Sequence, residues 1–194
     1  MSDWHELVIG GSEEACRAFV LGFFAGRGGT DEAVFGSDVE LHEESHAARL
    51  WELLRAGSHA AVFVPATVAE PLALAIDRHA DATALRVYDH RTIEAAWFEF
   101  RIEVFARDVA QELRATLQSL RSRGVTIEDL AENEESHPEA GGVELYAPLH
   151  RYKYRARGRI SGSISGVLHA WRALRGRDFV EVEPLCVRAK PLRV

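Results

Sequence analysis

His42-Glu43-Glu44-Ser45-His46 is the segment whose residue types and spacing come nearest to a defined metal chemistry. On a helix, two histidines at this spacing lie one turn apart on a single face, where their imidazoles share a zinc ion and the intervening Glu43 polarises a bound water. That arrangement implies a zinc-dependent hydrolase, with His42 and His46 as ligands and Glu43 acting on the water. The third ligand would fall to Glu70, His59 or His79, none of them at a characteristic spacing. The context points elsewhere. Asp38, Glu40 and Ser45 stand where such motifs carry apolar residues that bury them, and nine histidines among many acids make a chance match unsurprising. The alternative is the solvated, acid-rich start of a helix, where carboxylates suit the helix dipole.

A second constellation is basic. Alternation over residues 151–159 places Arg151, Lys153, Arg155, Arg157 and Arg159 on one side of a strand. With Tyr152 and Tyr154 nearby, this is the pattern of a sheet face that binds RNA. The tyrosines, however, fall on the opposite side from the basic residues and cannot stack bases there. Glu99, Glu103, Glu181 and Glu183 on expected neighbouring strands face the arginines and pair with them. The formal net charge of -7 further opposes a polyanionic partner. Trp97 and Arg101 join the same outer face, and an outward Trp beside Arg is typical of a contact surface. Trp97, Arg101, Arg151, Lys153, Arg155 and Arg157 are therefore the candidate ligand or interface residues. Every basic residue except Lys153 and Lys190 is Arg. Codon usage alone produces such a bias, which lowers the weight of any Arg cluster.

The remaining motifs are weaker. Ile9-Gly10-Gly11-Ser12 could offer backbone N–H groups to a phosphate, but Glu13 and Glu14 already occupy the helix dipole. Gly162-Ser163-Ile164-Ser165-Gly166 has the wrong spacing for a nucleophile elbow and reads as a helix entry capped by Ser163. Cys16 and Cys186 are 170 positions apart and fit small buried apolar residues better than a disulfide. His169 belongs to the last helix as a partly buried residue, and His137 to an acidic loop with Glu134, Glu135 and Glu139.

These residues must be carried by elements. Strands are expected at residues 4–9, 60–64 and 85–88, with weaker extended character over 34–41. Helices are expected from Ser12 to the glycines at 26–29, from Glu43 to Gly57, and from Thr67, whose spacing to Glu70 is that of a capping box. This alternation predicts parallel pairing through helical crossovers. Phe98, Phe100, Ile102 and Val104 alternate with Glu99, Arg101 and Glu103 in a clear strand. A helix capped by Asp108 and Gln111, a strand at 125–130, an acidic loop at 132–142, strands at 143–146 and 152–160, a helix from Ile164 and a final strand at 179–187, bulged at Pro184, complete the chain.

The fold expected is α+β or α/β. Residues 94–194 form a ferredoxin-like βαββαβ sandwich and residues 1–93 an alternating β-α half packed with it, as two domains or one fused domain. At 194 residues, 47% apolar and 27% charged, the composition excludes collagen, a disordered tail and a disulfide miniprotein. The N-terminus has no secretory pattern, and the apolar stretch at 15–25 is too short to span a bilayer, so a cytoplasmic location is expected. The functional expectation is a small-ligand-binding or self-associating regulatory domain without catalysis and without a cofactor. Its partner is a second copy or a small molecule, with no membrane. The alternatives are the zinc hydrolase and nucleic-acid binding through the 151–159 strand.

Overall fold

The computed structural model describes residues 4–27, 33–136 and 152–192. Among these, six α-helices and eight strands make a mixed α+β protein with antiparallel pairing. The strands are β1 (Trp4–Gly10), β2 (Val34–Phe35), β3 (His59–Pro65), β4 (Arg86–Val104), β5 (Val125–Ser136), β6 (Tyr152–Gly162), β7 (Val180–Val182) and β8 (Cys186–Pro191). The helices are α1 (Glu13–Gly26), α2 (Ala48–Arg55), α3 (Ala66–Arg78), α4 (Ala80–Thr83), α5 (Arg107–Arg121) and α6 (Ile164–Leu174), with 3-10 turns at Gly36–Val39 and Glu43–Ser45. Two compact units result, Met1–Ala96 with Pro184–Val194, and Trp97–Glu183. No helix among the described residues is long and apolar enough to cross a membrane.

In the first unit the strand order is β2-β3-β1-β4, with β8 also paired to β4. The expected parallel pairing is corrected by the register: β1 runs antiparallel to both β3 and β4, and β2 antiparallel to β3. Helical crossovers do join strands of the same direction, but β3 lies between β1 and β2, and β1 between β3 and β4. Local periodicity reports a crossover; it does not report which strand is inserted into the gap. Leu7, Ile9, Val62 and Val64 bury one face of this sheet against Val20 of α1 and Leu72 of α3. Val8, Ala61 and Phe63 are buried on the alternate side, where Gly36 of the first 3-10 turn approaches Ala61 closely. A sheet covered on both sides accounts for the nearly continuous apolar run of β3. The Ser12 side chain accepts a hydrogen bond from the Ala15 backbone N–H at 3.3 Å, so the expected N-cap is formed.

In the second unit β4 pairs with β6 on one edge and β7 on the other, giving the order β7-β4-β6-β5. Phe98, Phe100, Ile102, Tyr154, Ala156 and Ile160 are buried on one face. The helices supply Leu113, Leu117 and Leu120 from α5 and Val167, Trp171 and Leu174 from α6. Ser163 caps α6 as expected by accepting from the Gly166 N–H.

Several element boundaries differ from expectation. Residues 85–88 and 98–104 belong to one strand of 19 residues, β4. The weak strand at 34–41 is two residues of β2 followed by a 3-10 turn. The capping boxes at Thr67 and Asp108 do not form: α3 begins at Ala66 after Pro65, α5 at Arg107 after Ala106, and neither helix has a side-chain cap. Cross-strand pairing with β6 carries β5 on to Ser136, into the expected acidic loop. Instead of one bulged strand, β7 and β8 flank Pro184, which cannot donate to a ladder. The expected strand at 143–146 lies outside the described residues, as do His137, Glu139 and Arg151.

Candidate functional site

The H-E-x-x-H segment is not on a helix. His42 is extended (φ -73°, ψ 143°), Glu43–Ser45 is a 3-10 turn, and His46 is extended again (φ -133°, ψ 152°). The helix expected from Glu43 starts at Ala48, so the geometry that would set the two imidazoles one turn apart on a common face is absent. Each residue has a local role instead. His42 Nδ1 accepts from the Glu44 N–H at 3.2 Å. Ser45 is buried; its Oγ accepts from the Val187 N–H at 3.1 Å and lies 3.5 Å from the Leu185 carbonyl, joining the segment to β8. His46 bonds through Nε2 to the buried carboxylate of Glu6 and stacks on Trp51. Among the described residues no three His, Cys, Asp or Glu side chains gather closely enough to hold an ion. Of the suggested third ligands, His59 bonds to Ser58 and packs edge-on against Tyr88, and His79 Nδ1 bonds to the Ala75 carbonyl.

Glu6 is the centre of a cluster that composition and spacing did not reveal. It lies directly opposite Arg91 in the β1–β4 register. Its Oε1 contacts His46, its Oε2 accepts from Arg91 Nη1 at 3.1 Å, and Arg91 Nη2 donates to the Ala189 carbonyl at 3.0 Å. Both side chains of the Glu6–His46 pair are fully buried. Every heteroatom of the carboxylate is thus engaged, as burial of a charged group requires. The visible signal was an acid in the middle of an apolar strand, Leu7-Val8-Ile9 following Glu6 directly.

The second unit brings the other candidates together. Arg101 on β4 and Lys153, Arg155 and Arg157 on β6 stand on the face opposite the buried aromatics, and Trp97 is half-buried at the start of that β4 segment. The expected ion pairs form: Lys153 and Arg155 to Glu103 at 2.7 and 3.4 Å, and Arg159 to Glu99 at 2.9 Å. The tyrosines point into the core. Tyr152 is half-covered by Arg107 and Tyr154 by Arg114, and Tyr154 is hydrogen-bonded to Glu132, so neither presents a free ring to a base. Burial and the Glu132 contact raise the Tyr154 phenol, while the hydrogen bond from Lys153 holds the Glu103 carboxyl below its ordinary range.

Two hollows of about 510 and 380 Å³ open on this face. Both are lined by Arg101, Ala131 and Arg157; the larger adds Glu103, Asn133 and Arg155, the smaller Glu99, Asp129 and Gly158. They lie beside a bulge in β5. Register slips between Glu128 and Ala131 opposite β6, with Asp129 in the left-handed region at φ 51°, and the small residues Ala131 and Gly158 fill little space there. Arg157 makes no ion pair among the described residues, and Arg101 reaches Glu181 only at 3.9 Å between two largely exposed side chains. A contact of that kind contributes little.

The other nucleophile and base candidates are placed singly. Cys16 is buried on α1, with its thiol pushed up to about 11 by burial; Cys186 is half-buried and neither forms a disulfide. His169 is exposed on α6, 3.1 Å from an Arg123 nitrogen, not partly buried as expected. No family model matches the chain, and no curated protein matches it. A solved structure of an unknown protein from Galdieria sulphuraria is similar over 100% of both chains, at 10% identity and a TM-score of 0.28.

Proposed function

We propose that residues 97–183 form a ferredoxin-like module that binds a small anion, a carboxylate or phosphate compound, on its outer sheet face. The β-α-β-β-α-β element order and the strand order β7-β4-β6-β5 support the fold, and the first unit has the same pattern in β4-β1-β3-β2. The observation that carries the function is that Arg101 and Arg157 line both hollows while spending almost none of their charge on partners. Two guanidinium groups lining one cavity, with the Asn133 amide also lining the larger hollow, suit bidentate recognition of an oxyanion. The role in this reading is binding and regulation, in the cytoplasm.

Calorimetric titration with inorganic phosphate, citrate and a nucleoside monophosphate tests this reading. One of them binds the wild type, and Arg157→Ala weakens it by tenfold or more, since a hydrogen bond to a charged group contributes about 1.5–3 kcal/mol. Equal affinity in wild type and the Arg101→Ala, Arg157→Ala double variant defeats the proposal. The same face favours a second reading, self-association, because its alternating Arg and Glu residues complement a copy of themselves across a two-fold axis. Light scattering separates the two: a dimer that Trp97→Glu converts to monomer supports the interface. Retention on heparin that survives moderate salt would favour nucleic acid instead, and stoichiometric zinc lost in His42→Ala would favour the hydrolase.

A further inference from the structure

We infer that His5 and His90 form a two-nitrogen clamp for a late first-row divalent cation, Zn2+, Ni2+ or Cu2+, on the first unit's sheet. The inference does not rest on anion binding by the second unit. The two side chains come from paired strands. His5 lies opposite Thr92 and Leu7 opposite His90, so the imidazoles are diagonal neighbours on one face. It is the face on which Leu7 and Ile9 meet α1 and α3. His5 Nδ1 and His90 Nε2 are 2.9 Å apart, with ring centroids at 5.0 Å and planes at 61°.

That separation suits chelation. Two nitrogens each about 2.0–2.1 Å from one ion are about 2.9 Å apart at the right angle of tetragonal Cu2+ or Ni2+ and about 3.3–3.4 Å apart at the tetrahedral angle of Zn2+, so a few tenths of an ångström of ring movement covers all three. The rings must tilt so that both lone pairs converge, while the backbones stay in place. Without metal, one ring donates to the other and only one of the facing nitrogens keeps its lone pair. An ion replaces that proton bridge by using both lone pairs, with each ring carrying its single N–H on the outer nitrogen, so no net proton is released. Burial, the main cause, keeps both imidazoles below their ordinary value of 6.5 and so uncharged at neutral pH. Glu70 on α3 and the adjacent Asp89 add negative potential at His90. Both histidines are only partly buried, which leaves a path for the ion. Since no third protein ligand gathers here among the described residues, the remaining positions fall to water or a bound ligand. Imidazole donors select Zn2+, Ni2+ and Cu2+ over Mg2+ and Ca2+, with Cu2+ the tightest.

The test uses the full chain without an affinity tag, stripped with a chelator and dialysed. Calorimetry should give one Zn2+ per chain, with Mg2+ and Ca2+ silent, and nitrogen couplings from two imidazoles in the Cu2+ paramagnetic resonance spectrum. His5→Gln and His90→Gln should each weaken Zn2+ by more than the roughly tenfold that loss of even an outer-shell partner costs, whereas His42→Gln should not change it. In the wild type, NMR signals of the facing nitrogens of His5 and His90 should shift on adding Zn2+, a readout that needs no variant to fold. Absence of stoichiometric binding, binding retained in both Gln variants, or shifts confined to other histidines would each overturn the clamp.

Discussion

The two units solve one problem in opposite ways. Each has a sheet with two helices on one face and must do something with the other face. The first covers it with the segment from Gly36 through α2 and takes a charged cluster inside, Glu6 with Arg91 and His46. The second leaves its charges on the surface, where Glu99, Glu103, Arg155 and Arg159 pair in water. Charge taken out of water is expensive unless fully partnered, so the first arrangement is brittle and specifies where one segment docks. Charge kept at a surface contributes little to stability, so the second arrangement is free to change and to meet a ligand. What separates them is desolvation, since both are built from Glu with Arg.

The largest expected effect exploits that contrast. Glu6→Ala leaves the Arg91 guanidinium buried beside an empty site and should cost about 3–5 kcal/mol in urea unfolding, the usual penalty for breaking a buried pair from one side. Glu103→Ala on the second unit removes two ion pairs and should leave the urea midpoint where it was. Equal effects would mean that the Glu6 cluster is solvated, and the comparison would fail.

The same distinction explains what the sequence made legible. Alternation in Phe98, Phe100, Ile102 and Val104, and the Ser12 and Ser163 caps, depend on neighbours a few residues away, and all appear in the structure. The outward arginines of β6 and their glutamate partners were readable for the same reason, because strand period fixes the face. The first unit pairs antiparallel where local periodicity predicts parallel strands, because strand insertion is a long-range event. The H-E-x-x-H segment is a 3-10 turn where its spacing predicts a helix, because Ser45 and His46 gain more from β8 and Glu6, remote in sequence, than from continuing a helical turn. Tertiary partners overrode local propensity there, and no local pattern marks the pairing of Glu6 with Arg91.

Intermediate effects come from the two strand-to-helix turns. Gly11 and Gly162 both have positive φ, 137° and 147°. A Cβ on Gly162 would lie 2.8 Å from the Gly124 carbonyl oxygen, a backbone atom, whereas one on Gly11 would lie 2.4 Å from the methyl end of the Leu85 side chain, which yields more readily than backbone although it is packed in the core. Both Ala variants should lose about 1–3 kcal/mol, with Gly162→Ala the worse despite its longer contact. The caps that follow are alike at 3.3 Å, so Ser12→Ala and Ser163→Ala should each cost about 1 kcal/mol. Thermal unfolding followed by circular dichroism measures both pairs.

The smallest effect is on the response to acid, and it differs in where it begins. In the first unit, burial holds His5 and His90 below 6.5, so on acidification the unfolded chain takes up their protons before the folded one does. Their contribution is whole above pH 6.5 and drains as the pH falls through the lower folded values. In the second unit, Lys153 and Arg155 hold Glu103 below its ordinary 4.5, so its contribution is whole above that pH and lost only below it. In chelator-treated protein, stability should therefore fall as the pH drops below 6.5, and fall less steeply in the His5→Gln, His90→Gln double variant. Glu103→Gln should change nothing in that window and should flatten the curve only below the carboxylate range. A double variant with the wild-type slope would remove these partly buried histidines as the source of the first unit's acid sensitivity, and with them the claim that desolvation is what sets the two units apart.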